Sequence, residues 1–212
     1  MIKIRGKFGK LSFILMTLSA IFVLAACGSN NQSSSSSTSK TSKNTLYIGT
    51  TNAPAGFNPI NETDVAGQWI LRMLYPSLLD QPKADHFQGN LAKSFTTKDD
   101  QTFTITLRNA KWSDGKPITA EDVAYTLNLI GNPDVETSYG ANISHLQGVN
   151  STGKTASSST SISGVKVVNS KTLTLTTKAP VDPNYIKEMI GFDLVIVPKH
   201  VVEKYNLKDL AN

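Results

Sequence analysis

The stretch that decides the fold covers residues 89–130 and reads GNLAKSFTTKDDQTFTITLRNAKWSDGKPITAEDVAYTLNLI. Threonines alternate with apolar residues over 102–107, and this period of two predicts a strand with one buried face. Residues 112–117 read WSDGKP. Aspartate and glycine favour a turn, and Pro117 disfavours a helix before it. The stretch therefore predicts a half-buried strand followed by a turn.

A helix is predicted directly after this turn, from Ala120 to Ile130. Thr119 is a favourable N-cap, and Asp122 can close a capping box with it. Val123 and Leu127 form an apolar stripe together with Ile130. The acidic residues in the first turn suit the positive end of the helix dipole, so they indicate a helix start rather than a catalytic pair.

Strand, turn and helix in this order resemble the family-5 extracellular solute-binding proteins of ABC importers, and the oligopeptide-binding members above all. The resemblance covers the body of the chain from Thr45. The residues that carry it in the central stretch are Ala92, Thr102 to Arg108, Trp112 to Gly115 and Thr119 to Asp122. It continues in Phe57-Asn58-Pro59, Val65 to Tyr75, Pro76 to Asp80, Val165 to Val168, Thr172 to Thr176, Ala179-Pro180 and Val197 to His200.

The resemblance implies a mixed α/β fold (α+β), namely the N-terminal part of lobe I of a two-lobed, type-II periplasmic-binding-protein-like architecture. Family members are much longer than 212 residues and enclose their ligand between two lobes. We therefore expect residues 45–212 to form a partial lobe I, with the second lobe absent, and our hypothesis is that the sequence is an N-terminal fragment.

The remaining elements follow from periodicity and from proline and glycine positions. They are strands at Leu46 to Thr50, near Phe95, at Val165, at Thr172 and at Leu194 to Val197, and helices at Val65 to Tyr75, near Pro183 to Met189 and from Pro198. This mixture independently indicates an α/β or α+β domain. The polar stretch Asn150 to Ser163 is predicted to be a surface loop whose plainest role is that of a tolerated insertion.

The N-terminus has the pattern of a lipoprotein signal peptide at residues 1–26. Four basic residues precede an apolar run, Leu11 to Leu24, that is too short to span a bilayer comfortably. The run ends in Leu24-Ala25-Ala26-Cys27, which looks like a lipobox, so Cys27 is the expected lipid anchor. Residues 27–44 are rich in serine and nearly free of apolar side chains, which predicts a flexible tether.

Charge argues against a nucleic-acid partner. The chain has 21 Lys and Arg and 16 Asp and Glu residues, but four of the basic residues lie in the signal peptide and two in the tether. The body from Thr45 therefore holds 15 basic and 16 acidic side chains, and a nucleic acid would find little electrostatic support there.

We expect a monomer on the outer face of the cell membrane, or on the periplasmic side if the bacterium has two membranes.

No catalytic constellation is specific in this sequence, and we expect no enzyme, no cofactor and no metal. His86, His145 and His200 are isolated and lack metal-ligand spacing. No nucleophile elbow, P-loop or dinucleotide-binding turn is present. The tryptophans Trp69 and Trp112 are expected to pack rather than to stack on a ligand, since Trp69 lies in an apolar helix and Trp112 beside a turn.

What the resemblance implies for function is the capture of peptides, whose backbone is bonded like an added strand, and their delivery to ABC permease subunits. The ligand-binding positions it suggests are Glu62, Thr63, Asp64, Val65 and Tyr139. Glu62 or Asp64 would meet the amino terminus of the peptide, Thr63 and Tyr139 would supply hydroxyls, and Val65 would supply backbone groups. An equally acceptable interpretation is that Asp64 only caps the helix that begins at Val65.

Several alternatives stay open from the sequence. The same lobe pattern serves other solutes, so the ligand could be a dipeptide, a nickel chelate, a sugar or haem, and likeness of fold does not choose among them. A surface adhesin or a chaperone-like lipoprotein is a second class. A tethered cell-wall enzyme is the least favoured class because a catalytic set is missing.

Overall fold

The structure is a computed structural model that describes residues 46–54, 56–157, 159 and 161–206. The predicted signal peptide and tether, with Cys27, lie outside these residues. The described residues divide into two units after Ile48, and every element named below lies after this boundary.

A four-stranded antiparallel sheet is the centre of the fold. Its strands are β3 (Ala92–Thr97), β4 (Thr102–Leu107), β5 (Val165–Asn169) and β6 (Thr172–Thr176), in the order β3-β4-β6-β5. Phe103 lies opposite Leu175, and Ile105 lies between Phe95 and Leu173. The strands predicted near Phe95, at 102–107, at Val165 and at Thr172 are confirmed. In β4 the alternating sequence buries the apolar side chains and leaves the threonines on the other face.

The turn between β3 and β4 is closed by Asp99. Its carboxylate accepts hydrogen bonds from the backbone N–H groups of Gln101 and Thr102, at 3.1 and 2.7 Å. These bonds favour the charged form and lower the pKa of Asp99 to about 2. Asp100 follows with a left-handed backbone, φ 55°, which aspartate tolerates better than most residues. The two aspartates together therefore form the turn between β3 and β4.

A separate hairpin, β1 (Leu79–Lys83) and β2 (His86–Gly89), precedes the sheet and was not predicted. Its sequence, LDQPKADHFQG, has no regular alternation. Asp85 makes the tight turn with a left-handed backbone, φ 57°. Only Leu79 of this hairpin is buried, so the sequence has no alternation of buried and exposed positions that would predict strands there.

All four helices of the sequence prediction are present, and the first three need no change in their start by more than a residue. These three are α1 (Val65–Leu74), α2 (Ala120–Gly131) and α4 (Pro183–Ile186), which continues into a π-helical segment, Lys187–Phe192. A short helix, α3 (Gly140–Ile143), was not predicted. The last helix, α5 (Lys199–Val202), begins one residue later than predicted, because Pro198 is its N-cap. Helix α2 packs on β5 and β6.

The Asp122 side chain joins the N-terminus of α2 to the start of α5. Asp122 is only 4% exposed, and one of its carboxylate oxygens accepts from the Thr119 N–H at 2.8 Å and from the Thr119 hydroxyl at 3.0 Å. The other oxygen accepts from the backbone N–H of Lys199 at 3.0 Å. The predicted capping box is confirmed, and the same side chain also holds the start of α5.

Two predicted strands are wrong. Leu46 to Thr50 has no strand conformation, because a strand requires a partner and none of the described residues pairs with this segment. The buried run Leu194 to Val197 forms only one isolated bridge, between Val195 and Ser77. Its Val197 N–H donates to the Thr126 hydroxyl of α2 at 3.1 Å, and its Ile196 N–H donates to the Pro76 carbonyl at 2.8 Å, so the run makes no regular strand ladder with the described residues.

The tryptophans differ from each other. Trp112 packs against the core, as expected, whereas Trp69 is 57% exposed, so the packing prediction for Trp69 is wrong. The buried face of α1 consists of Ala66, Gly67 and Leu71, and Trp69 lies on the opposite side of that helix. In the part of the chain that the structure describes, no helix has both the length and the apolar character needed to cross a membrane.

Candidate functional site

Two loops meet at the N-terminal end of α1 and create the setting of the candidate site. The Tyr139 hydroxyl donates to the carbonyl of Glu62 at 2.7 Å. Next to it, the Thr137 hydroxyl donates to the carbonyl of Ile60. The loop before α1 and the loop before α3 are far apart in sequence, so these two bonds fix the position of one loop relative to the other.

The carboxylates of Glu62 and Asp64 are both engaged by nearby backbone. Glu62 is 5% exposed and accepts from the Asp64 N–H at 2.7 Å. Asp64 is the N-cap of α1 and accepts from the N–H groups of Ala66 and Gly67 at 3.1 and 3.3 Å. Asp64 therefore caps α1 in the structure, as in the second interpretation of this residue. An added Cβ at Gly67 would lie 2.4 Å from the Glu62 Cδ atom, so a larger residue there would displace the Glu62 side chain.

A pocket of about 300 Å³ opens beside these loops. Its volume is at the lower end of the range of about 300–1,000 Å³ that is common for small-molecule sites. The residues that line it are Thr63, Gln68, Leu71, Arg72, Ser138, Tyr139, Asn142, Asp193 and Val195. Most of them carry hydrogen-bonding groups, so the pocket suits a polar ligand with both donors and acceptors.

Tyr139 forms one wall of this pocket. The partly buried ring packs against the hydrophobic core, and burial raises the pKa of its hydroxyl above the usual value. The hydroxyl is therefore neutral at physiological pH. Its single proton is donated to the Glu62 carbonyl. Its oxygen already has a hydrogen bond with the Gln68 side chain and keeps a second lone pair that can accept from a ligand.

An ion pair that the sequence analysis missed, Arg72 and Asp193, lies in the same pocket. The Arg72 guanidinium is held by the Phe192 carbonyl at 2.8 Å and stacks 4.0 Å from the centre of the Phe192 ring. One guanidinium nitrogen, Nη2, lies 3.6 Å from the Asp193 carboxylate. Arg72 thus has one hydrogen bond to the backbone and one ring contact, while its contact with Asp193 is longer than a hydrogen bond.

Asp193 has few close partners of its own. Its second carboxylate oxygen lies 3.4 Å from the amide nitrogen of Asn142, which also donates to the Met189 carbonyl at 2.9 Å. Burial raises the pKa of Asp193, and the Arg72 charge only partly opposes this effect. The Asp193 carboxylate therefore has room for a further close partner, and a cationic ligand group beside it would form a favourable ion pair.

The π-helical segment explains why Asp193 was not predicted as a site residue. Helical periodicity would have continued α4 with 3.6 residues per turn, but residues 187–192 have wider turns, which are frequent near functional sites. Asp193 caps this segment, and its N–H donates to Glu188. The only signal in the sequence was a single acid, Asp193, directly before the apolar run Leu194 to Val197.

The structure brings Thr63 and Tyr139 together in this pocket. Val65 is 59% exposed and does not line it, and neither Glu62 nor Asp64 lines it. Cys27 lies outside the described residues. Among the described residues, no group of three or more His, Cys, Asp or Glu side chains is arranged to hold a metal ion.

Comparison with known proteins agrees with this architecture. The model of the bacterial extracellular solute-binding proteins, family 5, matches residues 86–210. The oligopeptide-binding protein OppA of Bacillus subtilis is 30% identical over 184 residues, which is 84% of this chain and 33% of that protein. The chain therefore spans about a third of the length of the curated relatives it matches.

Solved structures share the same fold. Haemophilus influenzae OppA, in complex with RPPGFSPFR, superposes with a TM-score of 0.61 at 25% identity, over 71% of this chain and 30% of that one. NikZ of Campylobacter jejuni, in complex with Ni(L-His), gives 0.57 at 22% identity, over 74% and 28%. Because the family model spans most of the body, from β2 to beyond α5, the chain belongs to the family-5 bacterial extracellular solute-binding proteins.

Proposed function

We propose that this protein is the solute-binding component of an ABC importer and captures peptides for its permease subunits. The observation that carries the proposal is the polar pocket at Thr63 and Tyr139 in a chain of this family. Relatives named as oligopeptide-binding proteins, at 30% identity, and a structural neighbour in complex with RPPGFSPFR support peptides as the ligand class.

Within the pocket, we assign each polar group a role in holding a peptide. The Tyr139 oxygen accepts from a peptide N–H, and the Thr63 hydroxyl bonds the next peptide group, as in strand-like recognition of an extended chain. Asp193 receives a positively charged group of the ligand, because Glu62 and Asp64 already bond backbone N–H groups. Glu62 and Asp64 then act by positioning Thr63, which lies between them.

Tyr139→Phe tests this assignment in the full-length protein. The change removes the bond to the Glu62 carbonyl and the acceptor offered to the ligand, while the ring keeps its packing. We expect the affinity for a mixed peptide pool to fall about fivefold, since the bond to Glu62 is missing from the free and the bound variant alike and the lost bond to the ligand contributes about 1 kcal/mol. Isothermal titration calorimetry measures the change directly.

The matched control is Tyr185→Phe. Tyr185 is also a partly exposed tyrosine and packs edge-on against His145, with 5.1 Å between the ring centroids, but it does not line the pocket. This variant should bind peptides like the wild type. Equal affinity of the wild type and Tyr139→Phe would remove Tyr139 from the site, and the absence of any peptide binding by the wild type would reject the proposed function.

A second candidate ligand is a small chelated metal. NikZ, which shares the fold, was solved in complex with Ni(L-His). Peptide capture is favoured over this class because the Tyr139, Thr63 and Asn142 groups around the pocket suit the N–H and C=O groups of a peptide. Family membership speaks for solute binding rather than for enzymatic activity, and the adhesin and cell-wall enzyme alternatives have no feature of the pocket in their favour.

For the location of the protein, we propose a lipid anchor on Cys27. In this proposal residues 1–26 are removed as a signal peptide, residues 27–44 are the tether, and residues 45–212 bind solute. The support is the apolar run that ends in Leu24-Ala25-Ala26-Cys27, together with a family of extracellular proteins. The protein then lies on the outer face of the cell membrane, or on its periplasmic side in a bacterium with two membranes.

Mass spectrometry of the mature N-terminus tests the anchor. We expect a diacylglyceryl-modified Cys27 as the first residue and partition of the protein into a detergent phase. Cys27→Ala should leave the precursor uncleaved and without lipid. Ser29→Ala is the control and should be processed normally. A mature protein that retains Met1 would contradict the proposal.

A further inference from the structure

Several polar side chains of the candidate ligand pocket already use their hydrogen atoms inside the protein. The side-chain nitrogen of Asn142 donates to the Met189 carbonyl at 2.9 Å and lies 3.4 Å from a carboxylate oxygen of Asp193. An amide nitrogen carries two hydrogen atoms, so Asn142 has only its carbonyl oxygen left for a ligand. Met189 belongs to the π-helical segment, and the backbone of that segment therefore fixes the orientation of the amide.

Two hydroxyl groups of the pocket are in the same situation. The Ser138 hydroxyl donates to the side-chain oxygen of Asn61 at 3.0 Å. The Tyr139 hydroxyl donates to the Glu62 carbonyl at 2.7 Å. Because a hydroxyl has one hydrogen atom, both groups can meet a ligand only as acceptors. This side of the pocket thus offers mainly acceptors, and it suits a ligand group that is rich in donors.

Carboxylates also outnumber cations around these acceptors. Burial raises the pKa of Tyr139 and of Asp193, and the charge of Arg72 opposes both shifts. The carboxylates of Asp193 and Glu62 raise the pKa of Tyr139 further, and the carboxylate of Glu188 does so for Asp193. Among the described residues that act on these two groups, three carboxylates face one guanidinium. A cationic ligand group would gain from this balance of charge.

The surroundings of Asp193 favour one kind of cation. One of its carboxylate oxygens lies 3.6 Å from the Arg72 Nη2 atom, and the other lies 3.4 Å from the Asn142 amide nitrogen. A guanidinium binds a carboxylate best through a planar fork that uses both oxygens, but here each oxygen already has a neighbour. An ammonium is a compact charge with three donors, so it can bind one oxygen and direct its other donors elsewhere.

We propose that this pocket selects a primary ammonium group of the bound peptide, with Asn142 as a specificity-determining residue. The inference rests on the proposed peptide capture and adds the chemical group that enters the pocket. Asp193 supplies the opposite charge, and the Asn142 carbonyl oxygen accepts a second donor of the ammonium. The Ser138 and Tyr139 oxygens remain for the adjoining peptide N–H groups. The ammonium belongs either to a free amino terminus or to a lysine side chain, which share this chemistry.

A set of peptides, titrated into the full-length protein by calorimetry, tests the selection. The ammonium peptides are acetyl-Ala-Ala-Lys-Ala-Ala-amide and Ala-Ala-norleucine-Ala-Ala-amide, which has a free amino terminus. Their trimethylated forms keep the charge but have no donor. Three blocked peptides carry norleucine, arginine or glutamate in place of the lysine. We expect one ammonium peptide to bind at least about tenfold more tightly than all peptides without an ammonium, as for hydrogen bonds to a charged group. The tighter of the two identifies the source of the ammonium.

Variants locate the selection within the pocket. In Asp193→Asn, the affinity ratio of the preferred ammonium peptide to the blocked norleucine peptide should fall at least about tenfold. In Asn142→Ala, the ratio of that peptide to its trimethylated form should fall about fivefold, and a loss of folded protein alone would not change this ratio. The matched controls, Asp134→Asn and Asn184→Ala, change exposed residues outside the pocket and should leave both ratios unchanged.

The proposal is overturned, with peptide capture intact, if the blocked norleucine peptide or the trimethylated forms bind as tightly as the ammonium peptides. It is also overturned if the arginine or glutamate peptide binds most tightly, and the second case would assign the pocket to Arg72. An unchanged ratio in Asn142→Ala would remove Asn142 from the selection. Failure of the mixed peptide pool to bind the wild type is a separate result, because it rejects the proposed function and this inference together.

Discussion

Replacement of Asp122 by alanine is expected to lower the free energy of unfolding by about 3 kcal/mol, because leaving a buried donor unsatisfied costs about 1–3 kcal/mol and two backbone donors lose their acceptor. These donors are the N–H groups of Thr119 and Lys199. The first begins α2 and the second begins α5. One short side chain thus joins two parts of the fold that are 77 residues apart.

Chemical denaturation of the full-length protein measures this loss. The matched control is Glu121→Ala, the neighbouring acid in the same helical turn. Glu121 forms an exposed ion pair with the Lys199 ammonium at 3.5 Å, and such pairs contribute about 0–1 kcal/mol. Equal effects of Asp122→Ala and Glu121→Ala would show that the carboxylate of Asp122 does not hold the junction.

Asp122→Asn separates charge from shape at the same position. The amide keeps one acceptor oxygen, but its NH₂ group would face an N–H group that needs an acceptor. We therefore expect this variant to lose about 2 kcal/mol, between the wild type and the alanine variant, because one acceptor is replaced by a donor.

The sequence predicted those elements whose signals are local. Alternation over 102–107 and the capping box at Thr119 and Asp122 concern residues within one element, so β4 and α2 are found where they were expected. Leu194 to Val197 has an equally strong apolar pattern, but its backbone donors go to Thr126 and to the Pro76 carbonyl. A strand depends on its neighbours, and a single sequence does not reveal them.

The candidate site was predictable only in part, and for a similar reason. Thr63 and Tyr139 came from resemblance to the family, and the structure places both in one pocket. Arg72 and Asp193 are 121 positions apart and meet because the π-helical segment sets the direction of the chain before Asp193. The bond from Tyr139 to the Glu62 carbonyl likewise joins two loops that no local pattern connects.

The stretch Asn150 to Ser163 shows how composition can mislead about structural role. It is a loop, as predicted, but it is firmly attached. Ile162 within it is 1% exposed, and its N–H donates to the Asn128 side chain of α2 at 2.8 Å. Gly153 has φ 78°, and an added Cβ would lie 2.0 Å from the Gly140 carbonyl oxygen. A tolerated insertion would not require such close approach to the helical region.

Lys154→Met is the strongest test of this loop, and we expect it to lower the free energy of unfolding by about 2–3 kcal/mol, as for the loss of charge-assisted hydrogen bonds. The Lys154 ammonium donates to the carbonyls of Ile130, Asn132 and Val135 at 2.9, 3.0 and 2.7 Å. It thereby provides donors for the free carbonyls at the C-terminal end of α2, where a cation also interacts favourably with the negative end of the helix dipole. Methionine keeps a flexible apolar stem of similar length but has no donor.

Lys166→Met is the control for this change, because Lys166 is exposed on β5 and a surface substitution of this kind changes stability by only about 0.5 kcal/mol. Burial lowers the pKa of Lys154, whereas the three carbonyl oxygens around its ammonium favour the charged form. The Lys154 ammonium stabilises the fold only if these three hydrogen bonds outweigh the cost of burying the charge. A loss below about 0.5 kcal/mol for Lys154→Met, within the range of neutral surface changes, would return residues 150–163 to the role of a tolerated insertion. A loss near 3 kcal/mol would instead make Lys154 the residue through which this polar loop completes α2.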